Sequence, residues 1–256
     1  MTKTRTVRFL QAVASMLLLA AVWQILSYTL PPFLFPPVPA IMSRTVEILV
    51  TGSLLADVLL TAGRIFAGLL GAFVFGAVLA IIIVQSRTIE NFVTPVLTFF
   101  QGIPALSWVV FAIIWFNGIE FRVLFIMVMT TLPAFTFQIL DALRSMSKDL
   151  YEMTMSFRPS KLKLLRYLLI PTIVPGILTA WKVNLGNAAR VVVVAELVGA
   201  TGGVGYELLR QQQLFDMAGA MAWTLQLVLF VLIAQQTINA IEAWALRYRA
   251  VSERAM

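Results

Sequence analysis

The alternation of apolar and polar positions divides the chain into long apolar runs with short polar interruptions. The first run, residues 7–30 ("VRFLQAVASMLLLAAVWQILSYTL"), follows Lys3, Arg5 and Arg8. Its flank resembles a signal peptide's, but the apolar part is longer than such a core and no small-residue cleavage site follows. It predicts a retained membrane-spanning helix. The next ten residues, "PPFLFPPVPA" (31–40), hold five prolines, which fix φ and remove backbone donors, and predict an extended connector. From 39 to 58, apolar positions are spaced among Arg44, Glu47 and Asp57, as in one or two amphipathic helices lying along an interface on the outer side. Five further apolar runs follow, near 60–84, 92–116, 121–140, 172–198 and 219–244. Each is long enough to cross about 30 Å of hydrocarbon. In the second span Gly63, Ala67 and Gly71 are four apart, as are Ala72, Gly76 and Ala80, so a neighbouring helix can approach closely there. No repeat of 20–50 residues is visible. The pattern predicts one all-α integral membrane domain over 1–256, with six spans and a polar loop at 141–170.

Composition supports this reading: 60% of the 256 residues are hydrophobic and 12% charged, against about a quarter charged in soluble domains. The absence of Cys excludes disulfides, thiolate metal sites and cysteine nucleophiles, and the absence of His removes the commonest general base and metal ligand. Asp57, Asp141, Asp149 and Asp216 fall at span ends or in connectors, so no carboxylate pair points to an intramembrane enzyme and no metal site is expected. The net charge of +7 reads as topology rather than as a nucleic-acid footprint. With the N-terminus in the cytoplasm, segments 1–8, 85–91, 141–170 and 245–256 hold thirteen of the nineteen Lys and Arg residues. Both termini are therefore expected inside.

The densest basic cluster, Arg158, Lys161, Lys163 and Arg166, lies in "SFRPSKLKLLRYLLIPTIVPG" (156–176). On charge alone it is a juxtamembrane face that meets anionic lipid. Pro159 breaks a short helical piece from a basic amphipathic helix that Ser160 can cap. The spacing resembles the cytoplasmic loop of ABC importer permeases: E-A-A, three residues, G, nine residues, I-x-L-P. Glu152 matches the acid, Met153 and Thr154 stand at the alanines, Leu168 and Ile170 at the aliphatic positions, and Pro171 at the proline. Arg158 stands where the pattern has glycine. "QGIPALSWVVFAIIWFNG" (101–118) and "VVVVAELVGATGGVGYELL" (191–209) are similar to two further stretches of the nitrate, taurine and sulfonate group.

This resemblance covers about 36–245. It implies a type I ABC importer permease in a bacterial cytoplasmic (inner) membrane, rocking between inward- and outward-facing states. The segment around 150–163 would be a coupling helix seated in a separate ATP-binding subunit. Glu152 would supply charge-assisted hydrogen bonds, and Met153, Met155 and Phe157 apolar contact. Thr154, Arg158 and Pro171 belong to the same element. The implied partners are two ATP-binding ABC subunits, a second permease chain (another copy or a paralogue), an extracytoplasmic solute-binding protein and membrane lipid, with no nucleic acid. The chain has no G-x-x-x-x-G-K-[ST] segment, so ATP and Mg are expected on the partner, and "GATGGVGY" reads as a turn.

Candidate pathway residues lie in the fifth span. Lys182 and Arg190 are eight residues apart, about 80° around a helix, with Asn187 between them. Intramembrane charge normally faces a cavity or a partner. Arg190 with Asn187 would attract a small anionic or polar solute such as a sulfonate, taurine or nitrate; a vitamin-like organic solute is the alternative. Equally, Lys182 can snorkel and Arg190 can pair with another span or subunit. Trp108 is a pathway candidate too, although packing or interfacial anchoring also accounts for it. Outside this family, a passive channel or scaffold is the remaining reading.

Overall fold

A computed structural model describes residues 2–246; Arg247, Arg249 and Arg254, expected among the cytoplasmic cations, lie outside the described residues. α1 (Thr2–Ser27) ends where the proline-rich connector begins. The connector folds back on it: Trp23 stacks on Phe35 with ring centroids 3.9 Å apart and donates to the Pro36 carbonyl, while the Gln24 side chain accepts from the Val38 N–H. α2 (Val38–Val50) starts inside the stretch expected to be extended. Pro39 falls in its first turn, where a backbone N–H has no helical partner to lose. α2 buries Ile41, Thr45 and Ile48, and Arg44 fixes it through Glu47 (2.8 Å) and Asp216 (3.2 Å). Those carboxylates, Glu47 first, hold the Arg44 guanidinium pKa above its ordinary value.

The chain breaks at Thr51 and then enters α3 (Gly52–Gln85), so the second half of the expected interfacial segment belongs to the second span. The third span also departs from expectation. α4 (Arg87–Gly102) and α5 (Ala105–Trp115) meet at 94° rather than forming one helix over 92–116. Ile103 is extended because Pro104 clashes with a helical conformation in the residue before it. α6 (Ile119–Arg144) leads to α7 (Lys148–Ser156) and α8 (Lys161–Leu164). A π-helical turn at Leu165–Leu169 joins α8 to α9 (Ile170–Leu197), so Pro171 lies within a helical path rather than at its entry. The expected connector after α9 contains α10 (Val204–Gln213), and α11 (Met217–Ala245) closes the described chain. Among the described residues five helices are long and apolar enough to cross a membrane, and six spans result if the bent α4–α5 pair counts as one.

α3, α6 and α9 form the centre. Ile65, Leu69, Val123, Met127, Leu185 and Val192 are buried between them, and Phe73, Phe135 and Trp181 meet at centroid distances of 5.5–5.7 Å. α3 lies against α6 along a small-residue face. A Cβ on Gly68 would come 2.5 Å from the Met127 Cβ, and one on Gly76 would come 3.1 Å from the Phe135 Cβ. The contacting row is Gly68, Ala72, Gly76 and Ala80, with Gly71 beside it, where a Cβ would come 3.3 Å from Val128 Cγ2. Gly63 has nothing within 4 Å of a Cβ placed on it.

Candidate functional site

Polar side chains on four helices converge on an open cavity of about 740 Å³. α9 supplies Lys182, Asn184, Asn187 and Arg190: the last three follow at intervals of three along one helix face, and Lys182 lies eight residues before Arg190. α11 adds Gln235 and Asn239, α6 adds Gln138, and Gln101 comes from the last turn of α4, beside the bend. Asn184 is buried and committed, donating to Gln138 (2.6 Å) and to the Ala180 carbonyl (2.9 Å). Lys182 is ion-paired with Glu242 of α11. Asn187 and Arg190 are exposed to the cavity, and among the described residues no hydrogen bond or ion pair engages Arg190. Lys182, Asn187 and Arg190 thus line the same cavity.

Trp108 does not join them. It is 4% exposed and packs at about 6 Å, edge-on, against Phe100, Phe111 and Phe125. The sharp α4–α5 bend folds α5 against the core and turns this ring inward, so packing accounts for Trp108. The residues that sequence reasoning missed are Gln101, Gln138, Gln235, Asn239 and Glu242. Amides and an acid spaced four, then three, apart in the sixth span were the available signal.

A second cluster ties the α9–α10 connector to α3. The Glu196 carboxylate is fully buried and accepts from Thr61 Oγ1 (2.9 and 3.0 Å), Arg64 Nη1 (2.8 Å) and the Gly205 N–H (2.8 Å). Thr61 accepts from the Val204 N–H and Asp57 from the Gly203 N–H, so three successive N–H groups at the start of α10 are capped from outside the helix. Arg64 also donates to the Gly202 carbonyl and to Glu120. Gly203 has φ +111, and a Cβ there would lie 2.5 Å from Glu196 Oε1. The glycines of "GATGGVGY" wrap a carboxylate.

The loop between α6 and α9 presents a different surface. Ser147 caps α7 by accepting from the Leu150 N–H, and α7 ends at Ser156, seven residues before the expected coupling helix would. Glu152 is exposed, as are Met153 (57%), Met155 and Phe157 (81%). Thr154 is half-buried, its hydroxyl donating to the Leu150 carbonyl. At the pattern's glycine position Arg158 takes φ +46, the left-handed conformation that glycine adopts freely. An L-residue pays roughly 1–2 kcal/mol there, and glycine's unfolded-state entropy offsets part of that. Arg158→Gly should therefore stabilise the turn by about 0.5–1 kcal/mol, read as slower amide exchange at residues 157–160 in hydrogen-exchange mass spectrometry.

Comparison with known proteins agrees with this architecture. The formylaminopyrimidine transport permease protein ThiX of Halalkalibacterium halodurans is 25% identical over 96% of this chain and 98% of its own length. The taurine transport system permease protein TauC of Escherichia coli is 23% identical over 74% of this chain and 71% of its own length. A chain of the inward-facing MetNI methionine ABC transporter superposes with a TM-score of 0.66 at 17% identity, covering 77% of this chain and 99% of that one. The family described as binding-protein-dependent transport system inner membrane component matches residues 72–245. With that match over most of its length, and with the helical bundle just described, the chain belongs to this family of transport permeases.

Proposed function

We propose that this chain forms half of the translocation pathway of an ATP-driven importer, passing a small polar or anionic solute through the α9-lined cavity. The carrying observation is the cavity itself: Arg190 stands without a counter-charge among the described residues, surrounded by amides on spanning helices. Such a face is costly against lipid, so it needs water, solute or another chain. A second permease chain, another copy or a paralogue, would cover it. The relatives named for taurine and for formylaminopyrimidine are consistent with a solute that carries both charge and hydrogen-bonding groups.

In this reading α7 and the turn through Arg158 dock on one of two ATP-binding subunits, which hold ATP and Mg. Met153 and Phe157 present the apolar contact and Glu152 the charged one, while Pro171 lies in the helical path that carries the loop's motion into α9. An extracytoplasmic binding protein delivers the solute at the α10 end. The basic residues of the α7 loop support a reading in which that loop and both termini lie on the cytoplasmic side of the inner membrane. Phe157→Ala and Glu152→Ala should each weaken recovery of the ATPase subunit at least tenfold, as buried interface anchors do. They should also abolish solute-stimulated ATP hydrolysis in proteoliposomes. Unchanged recovery and stimulation would sink the docking assignment. Arg190→Ala should remove solute stimulation with the ATPase still bound; normal transport by that variant would sink the pathway assignment.

A further inference from the structure

We propose that Glu242 determines the charge the cavity offers a solute, by occupying Lys182 and leaving Arg190 as its unopposed cation among the described residues. The inference rests on the pathway reading above and adds a specificity residue to it. α9 brings two cations to one wall, and their eight-residue separation puts them about 12 Å apart along the axis. On α11, Gln235, Asn239 and Glu242 follow at intervals of four and three, so they lie on one face. The first two line the cavity, and the third, one turn further on, meets Lys182. The Lys182 and Glu242 side chains are 26% and 28% exposed, too covered for solvent and salt to screen them fully. Glu90, towards the same end of the bundle, is engaged by Arg144 and Arg87 and does not compete for Lys182.

The charge arithmetic has a direct consequence. Arg190 brings a guanidinium cation to the wall. With Lys182 paired, the wall carries one net positive charge; without Glu242 it would carry two. Coulomb attraction scales with the charge of the solute, so an added cation favours a dianion twice as strongly, in free energy, as a monoanion. A pathway must also release what it binds, and a second cation would hold a dianion where one lets a monoanion pass. A purely structural α9–α11 tie would make no such distinction.

Perchlorate and sulfate, tetrahedral oxyanions that differ by one charge, test this. The full-length chain is purified in lipid nanodiscs with the subunits that accompany it. Protection of Arg190 from phenylglyoxal is then read by mass spectrometry. Relative to the unmodified protein, Glu242→Gln should lower the half-protecting concentration about tenfold for sulfate and about threefold for perchlorate. Lys182→Met, which leaves the Glu242 carboxylate uncompensated, should shift both in the opposite direction. Glu242→Asp and the double variant K182M/E242Q should keep the original ratio. If Arg190 is protected in every variant with an unchanged sulfate-to-perchlorate ratio, the Glu242 assignment is overturned and the pathway reading stands. If neither anion protects Arg190 in the unmodified protein, the anion-pathway reading falls and takes this inference with it.

Discussion

Arg64→Leu should destabilise the chain by about 3–5 kcal/mol, the loss expected when one member of a buried ion pair is removed and the other is left uncompensated. The partner left behind is Glu196, whose carboxylate has no exposed surface and whose strongest donor would be gone. Thr61 and Gly205 would still donate to it, yet neither carries charge. The change also frees the Gly202 carbonyl and cuts the link to Glu120, so the connector and the start of α10 should loosen together. Thermal unfolding in detergent gives the stability change, and hydrogen exchange across residues 199–206 gives its location. A Glu120→Gln control should cost under about 1 kcal/mol, because that side chain is 63% exposed and solvent replaces its contact. Equal effects from the two substitutions would mean that the buried cluster is not what holds the connector.

Gly68→Leu should be the second most damaging change. Its Cβ alone would approach the Met127 Cβ to 2.5 Å, and a branched side chain would have to force α3 and α6 apart along their whole contact. Overpacking of this kind costs about 1–3 kcal/mol, and more where backbones cannot separate. Gly63→Leu, one helical turn and a residue earlier, meets nothing within 4 Å at its Cβ and should be nearly neutral. Comparing the yield of folded protein in detergent for the two variants tests the register of the helix pair directly. If the two behave alike, the α3–α6 contact does not run through Gly68.

The small-residue pattern illustrates how much of this arrangement was legible. Two rows of four-spaced small residues were visible in the sequence, but which row met a helix depended on α6. The contact runs through the Ala72 row, extended back to Gly68, a residue in neither expected set, and takes in Gly71 of the other row at Val128. The spans were readable because hydrocarbon thickness fixes their length, and Lys182, Asn187 and Arg190 because intramembrane polarity is costly. The bend at Ile103–Pro104 was not read, because the apolar run continued across it and length outweighed a single X-Pro step. α10 was hidden by its polar sequence: its N-terminus is capped by Glu196, nine residues before Gly205, and by Asp57 and Thr61, which are distant in the chain and which no local pattern announces. Glu242 was passed over because it lies close to the end of its helix, where a charge ordinarily meets water. Only the antiparallel pairing of α9 and α11 shows that it reaches inward.

The π-helical turn at Leu165–Leu169 carries a consequence for how the α7 loop is aimed. A π turn takes up one residue more than an α turn, and one residue of α-helix is worth about 100° of rotation. Everything before that turn, α8 and α7 with Phe157 and Arg158, is therefore set about 100° away from the bearing that an unbroken α-helix would give it. The loop's compass heading relative to the bundle is stored in one surplus residue, where a single-residue insertion or deletion would redirect it while leaving the bundle itself intact.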